Sequence, residues 1–215
     1  TPIEPALRDN NQVSDRFYVY VARDAAAGPA YLDKGTLVRL EVDLNGRHAS
    51  MPRDFSSSQG AQNFEYSYGG SEGAGRMKWA VTKSPAGTLD QRWQGNEKFL
   101  LIKGSEGKLI LHPGVDSDAA IRWNAPEDGT VKITGQVQDL DSACGDGATF
   151  RIINASMNPG QVLYSGKINK TQAVNFDLTA RVTKGKKVHF TLGPGQTRDI
   201  GCDSTGLKFD IRYLP

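Results

Sequence analysis

Thiols, histidines and long apolar runs are all scarce in this chain, and each shortage excludes something. There are two cysteines and three histidines among 215 residues. No Cys-x-x-Cys pair or His-rich spacing supplies the three or four side chains that zinc requires. The longest uninterrupted apolar run is six residues, Phe17 to Ala22. That is far short of the roughly 20 residues a membrane-spanning helix needs. Charge of one sign is missing as well: 26 Lys and Arg face 24 Asp and Glu, and both halves of the chain are balanced alike. Nucleic acid and membrane insertion are therefore not expected partners, since neither an electrostatic footprint nor a spanning segment is present. A Gly-x-Ser-x-Gly elbow, a phosphate loop and a His-Glu-x-x-His pair are absent too, so the sequence carries no enzyme signature. The chain opens at Thr1 without a basic-apolar leader, and the expectation is that any signal peptide has been removed.

What is present is alternation. Val38, Leu40, Val42 and Leu44 alternate with charged residues, as do Val131, Ile133 and Val137 with polar ones. Val174, Phe176, Leu178, Ala180 and Val182 place five apolar residues on one strand face. Val188, Phe190 and Leu192 follow, and Leu207, Phe209, Ile211 and Tyr213 end the chain. This period of two is that of half-buried antiparallel strands. Asn45-Gly46, Asp128-Gly129, Asn158-Pro159-Gly160, Lys184-Gly185 and Gly193-Pro194-Gly195 supply turns between them. No helix pattern emerges. The expected fold is an all-β antiparallel sandwich, jelly-roll-like. Residues 49–215 are assigned to it. Residues 1–48 are either its leading strands or the tail of a preceding domain, with the Asn45-Gly46 region as the boundary.

Cys144 and Cys202 each lie in a Gly/Asp loop, Cys144-Gly145-Asp146-Gly147 and Gly201-Cys202-Asp203. Such loops suit a staple between neighbouring turns better than buried structural thiols. A disulfide is expected. On the chain-entropy model its closure would stabilise by roughly 4 kcal/mol, and it points to an extracellular or periplasmic setting. The segment 51–96 differs in kind, with many glycines and with Phe55, Phe64, Tyr66, Tyr68, Trp79 and Trp93. It reads as weak strands at 64–68 and 76–81 joined by long ordered loops.

From Phe55 onward the order of segments resembles a known type. It runs through Phe55-Ser56-Ser57-Ser58-Gln59-Gly60, Asn63-Phe64-Glu65-Tyr66-Ser67-Tyr68, His112-Pro113 and Ala120-Ile121-Arg122-Trp123-Asn124-Ala125-Pro126. Gly129-Thr130-Val131-Lys132-Ile133-Thr134-Gly135, Cys144-Gly145-Asp146-Gly147, Val182-Thr183-Lys184-Gly185 and Asp203-Ser204-Thr205-Gly206-Leu207 complete it. Together these are similar to the β-sandwich carbohydrate-binding modules of secreted bacterial polysaccharide-active proteins. The resemblance spans about three quarters of the chain. It implies a jelly-roll fold, an extracytoplasmic setting and attachment to a glycan-processing system, with a parent catalytic domain as a candidate partner. It does not imply a particular sugar.

The function expected is non-catalytic binding of a polysaccharide or oligosaccharide. Flat aromatic rings bury the apolar faces of sugars while loop polar groups bond their hydroxyls. Trp79, Trp93, Tyr66 and Tyr68 are the candidates for that role, and Trp123 and Phe64 are assigned to the core. No cofactor is required by this reading. Asp146 and Asp203, held together by the disulfide, are candidate ligands of a structural Ca²⁺, against the plainer reading of turn-forming aspartates. His189 falls on the outward face of its strand and is expected to be solvated. Two other classes stay open. One is a small β-sandwich lyase or hydrolase, for which Tyr66, Tyr68, His112 and Arg122 could be assembled, although no spacing compels it. The other is a structural interaction domain.

Overall fold

The computed structural model describes residues 3–5, 16–22, 37–43, 47–69, 75–83, 87–141, 143–170 and 173–215. The turn expected at Asn45-Gly46 lies outside these. The chain divides into two compact units, residues 1–47 and 48–215. The first contains a three-stranded antiparallel meander of β1 (Ile3–Pro5), β2 (Arg16–Ala22) and β3 (Leu37–Asp43).

The second unit is a sandwich of two antiparallel sheets, and no α-helix occurs among the described residues. The larger sheet contains β4 (His48–Met51), β7 (Lys78–Lys83), β8 (Leu89–Gln94), β9 (Leu101–Ser105) and β10 (Lys108–His112). It also holds β12 (Gly129–Asp139), β15 (Ala173–Val182) and β17 (Thr205–Tyr213). Its order is β15-β12-β17-β10-β9-β8-β7, with β4 also paired to β17. The smaller sheet contains β5 (Phe64–Tyr68), β6 (Gly75–Arg76), β11 (Ala119–Asn124), β13 (Ala148–Asn154), β14 (Gln161–Ile168) and β16 (Lys187–Gly193). Its order is β14-β13-β16-β11-β5-β6.

Pleating turns the alternation into a core. Ile121 and Trp123 of β11, Val188, Phe190 and Leu192 of β16, and Phe150 and Ile152 of β13 are buried on one side of the smaller sheet. Ile133 and Val137 of β12 and Leu207, Phe209 and Ile211 of β17 face them from the larger sheet. Phe190 and Phe209 stack with centroids 3.9 Å apart, joining the two layers at their middle. Trp123 and Phe64 are core residues, as the sequence suggests. The disulfide is also present: Cys144 and Cys202 are bonded with Cα atoms 5.4 Å apart.

Candidate functional site

The aromatic-rich segment does not present its rings to solvent. Trp79 on β7 and Trp93 on β8 are directly opposed across the hairpin, so both rings leave the sheet on one face. That face meets Tyr66 of the other sheet. Trp93 stacks on Tyr66 at 4.8 Å, Trp79 meets Trp93 edge-on at 5.5 Å, and Phe55 packs against Tyr66 and Trp79. Trp93 Nε1 donates to the Ser56 carbonyl at 2.9 Å, and burial pushes the Tyr66 phenol above its ordinary range. Tyr66 is 0% and Trp93 3% exposed. The expectation that these two rings form sugar platforms is therefore corrected: a ring already covered on both faces has none left for a ligand. Trp79 and Tyr68 are half-buried against the hydrophobic core.

The polar surface lies elsewhere, on the outer face of the smaller sheet. Residues between the core positions of β5, β11, β16 and β13 form two cross-strand rows. One is Glu65–Arg122–His189–Ile153, and the other is Ser67–Ala120–Thr191–Arg151. An outer face of an antiparallel sheet is ordinarily wet, yet Arg122 is 8%, His189 5% and Thr191 1% exposed. The expectation of a solvated His189 is corrected, although its outward direction holds. Arg122 Nε and Nη2 and the Thr191 hydroxyl are buried without a hydrogen-bond partner among the described residues. Buried polar groups are rarely left so, because each forfeits its bonds to water without replacement. Burial lowers the Arg122 guanidinium from its ordinary value, with Glu65 acting against that shift.

Charged groups rim this face. Glu65 accepts from Lys187 Nζ at 2.8 Å and from Asn124 Nδ2 at 3.2 Å. Burial would raise its carboxyl, but these hydrogen bonds and the charges of Lys187 and Arg76 leave it below the usual carboxylate value. Asp118 is raised by burial, against the pull of Arg151 at 3.7 Å. Two depressions open on the same face. One, of about 230 Å³, is lined by Asp118, Thr149, Arg151, Gly193 and Arg198. The other, of about 510 Å³, is lined by Ile153, Met157, Pro159, Val162, Lys186 and His189. Thr191 stands on β16 between Gly193 of the first and His189 of the second.

The four residues considered for lyase chemistry are not brought together. Tyr66 points into the core, Arg122 onto the opposite face of the same sheet, and His112 sits in the other sheet, 2.8 Å from the Pro113 carbonyl through Nδ1.

The stapled loops hold the other candidate group. Asp203 is 2% exposed and both of its carboxylate oxygens lack a hydrogen-bond partner among the described residues. Burial, then the charges of Asp146, Asp199 and Asp139, push its carboxyl up to about 6. Asp146 Oδ2 accepts from the Thr197 N–H at 3.0 Å, which holds this carboxyl below its ordinary value, while Oδ1 has no partner among the described residues.

No family model and no curated protein matches this sequence. Solved structures similar to this chain include the CBM22-1 xylan-binding domain from Paenibacillus barcinonensis Xyn10C. It has a TM-score of 0.37 at 12% identity, over 74% of this chain and 90% of that one. The CBM51 from Clostridium perfringens GH95, solved with methyl-galactose, gives 0.36 at 10% identity over 73% and 92%. The enzymatically active domain of tailspike protein 4 from bacteriophage CBA120 gives 0.36 at 11% over 75% and 21%. The fold is an all-β antiparallel sandwich, and carbohydrate-binding modules of several families are among the structures similar to it.

Proposed function

We propose that residues 48–215 form a carbohydrate-binding module that takes a polysaccharide or oligosaccharide along the outer face of the smaller sheet. The observation that carries this is the pair of unsatisfied buried groups, the Arg122 guanidinium and the Thr191 hydroxyl, between two depressions on one face. These atoms are buried in the free protein, so a sugar hydroxyl accepts from the guanidinium N–H groups and exchanges bonds with the threonine hydroxyl only once the groups covering them move aside. The apolar side chains of Ile153, Met157 and Val162 line the larger depression, where they can cover C–H faces of the sugar. The Cys144–Cys202 bridge supports an oxidising, extracytoplasmic setting. A parent glycan-active enzyme is the partner this reading implies.

Affinity electrophoresis against a panel of neutral and acidic polysaccharides tests it. Wild-type protein is expected to be retarded by at least one of them without releasing reducing ends or unsaturated products. Arg122→Met and Thr191→Val should lose that retardation while melting no lower than the wild type. Absence of retardation across the panel overturns the binding role. Retention of wild-type retardation by both variants overturns the location.

A further inference from the structure

We propose that the glycan taken by the outer face of the smaller sheet is acidic, a polymer of uronic acids with one carboxylate held by the Arg122 guanidinium. This rests on the reading of that face as the binding surface and adds the chemical class of its ligand. The two nitrogens of Arg122 without a hydrogen-bond partner among the described residues are Nε and Nη2. They are not an arbitrary pair. In a planar guanidinium the Nε–H and one Nη2–H point the same way and form one edge of the group, matched to the two oxygens of a carboxylate. A hydroxyl occupies one such donor, whereas a carboxylate occupies both and neutralises the charge as well. Arg122 is 8% exposed, so a ligand reaches it only by displacing what covers it. Charge-assisted bonds, roughly twice as strong as neutral ones, are better suited to offset that displacement.

The protein's own acids do not meet this fork. Glu65 is the cross-strand neighbour of Arg122. Its Oε2 accepts from Lys187 Nζ at 2.8 Å and its Oε1 from Asn124 Nδ2 at 3.2 Å, with Arg76 3.9 Å away. Its charge reaches Arg122 through space, without an ion pair. The surroundings have the same sign as Arg122. The six strands of this sheet carry Arg76, Arg122, Arg151, Lys167 and Lys187 against Glu65 as their one acid. The chain as a whole is nearly balanced, 26 basic residues to 24 acidic. All five cations stand on the outer face: Arg122 beside Glu65, Arg76 opposite Ser67, Lys187 opposite Asn124, Arg151 opposite Thr191 and Lys167 opposite Thr149. At the rim, Asp118 meets Arg151 at 3.7 Å and Asp116 meets Arg198 at 2.6 Å, so these acids have arginines of their own. Lys186 adds a further cation to the larger depression. A polyuronate presents a carboxylate on every residue, so one chain laid across the strands meets Arg122 and the exposed cations on either side of it.

Affinity electrophoresis with polygalacturonate, alginate and hyaluronate, each beside the same polymer with its carboxyl groups reduced to alcohols, tests the ligand class. Wild-type protein is expected to be retarded by at least one polyuronate and about tenfold less strongly by its reduced form. The difference should shrink as salt is raised. Arg122→Lys keeps the charge without the fork, and should lose about fivefold in polyuronate affinity while remaining folded by thermal melt. The reduced polymers need wild-type protein alone, so the test stands even where the variant fails to fold. Equal retardation by a polyuronate and its reduced form, or retardation by neutral polymers alone, overturns the inference and leaves the binding role standing. Retardation by dextran sulfate but by no polyuronate overturns the carboxylate. Unchanged polyuronate affinity in Arg122→Lys overturns the fork. Silence toward every polymer, neutral and acidic, overturns the binding role itself and this inference with it.

Discussion

Two regions of the sandwich reverse each other's appearance. The β7–β8 hairpin carries tryptophans among glycines, amides and charges, the composition of an exposed binding loop, yet its rings close the core against Tyr66. The middle of the smaller sheet alternates apolar with polar residues, the composition of a wet outer face, yet its polar side is buried. The lesson is that alternation along one strand assigns residues to two faces but says nothing of what covers either. In the hairpin the cover comes from the opposite sheet. On the outer face, Thr191 and Arg122 are buried with donors left unspent among the described residues.

The largest effect expected from breaking this contrast is at Trp93. Truncation to Ala removes the stack on Tyr66 and the bond to Ser56, and should cost about 3–5 kcal/mol of folding stability. At about 2–4 °C per kcal/mol for a domain of this size, a thermal melt reads it directly. A melting point within a degree or two of the wild type would return Trp93 to the surface. Next comes the staple. Cys144→Ser with Cys202→Ser should lower stability by roughly 4 kcal/mol on the chain-entropy model, read by urea unfolding. Free thiols in the oxidised protein by intact mass would remove the premise.

At the outer face the sign should differ. Arg122→Met replaces a buried charge whose donors are unspent by an apolar side chain of similar length. Stability should hold or rise, while glycan affinity falls at least tenfold, about 1.4 kcal/mol. A variant that both unfolds and binds poorly would make Arg122 structural. Trp79→Ala sharpens the contrast from the other side. The half-buried ring should cost less than half of the Trp93 loss in the same melt, and an equal loss would place both rings in one core.

The smallest effect expected concerns acid. Glu65 titrates below its ordinary value of 4.5. Its contribution is therefore fully present above that pH and is lost as the pH falls through the folded value. Glu65→Gln should flatten stability between about pH 5 and pH 3 and leave neutral stability nearly unchanged. An unaltered acid slope would show that Lys187 and Asn124 do not hold the carboxylate.

Much of the framework was legible. The alternating runs of β12, β15, β16 and β17 announce half-buried strands because each apolar set is continuous on one parity. The cysteine loops announce their bridge through composition alone. The hairpin was harder, because β7 and β8 are short and their off-parity residues, Lys78 and Arg92 among them, dilute the signal. A clue existed: two tryptophans placed symmetrically about a glycine-bearing turn become direct cross-strand partners if the hairpin forms. Arg122 and Thr191, the residues proposed for the site, had no such clue. Their burial depends on neighbours brought in by β5 and β13, distant in sequence, and no local pattern reports it.

The place of β17 has a consequence for how the larger sheet closes. β17 pairs with β12 along its length, and on its other side it is shared, residues 205–207 bonding β10 and residues 209–212 bonding β4. This strand is thus the central beam of the larger sheet. Until it arrives, β12, β10 and β4 each present an unbonded edge, open to pairing with another chain. Closure of this layer therefore waits on β17, and a chain cut before Thr205 would carry three exposed edges in place of one interior strand.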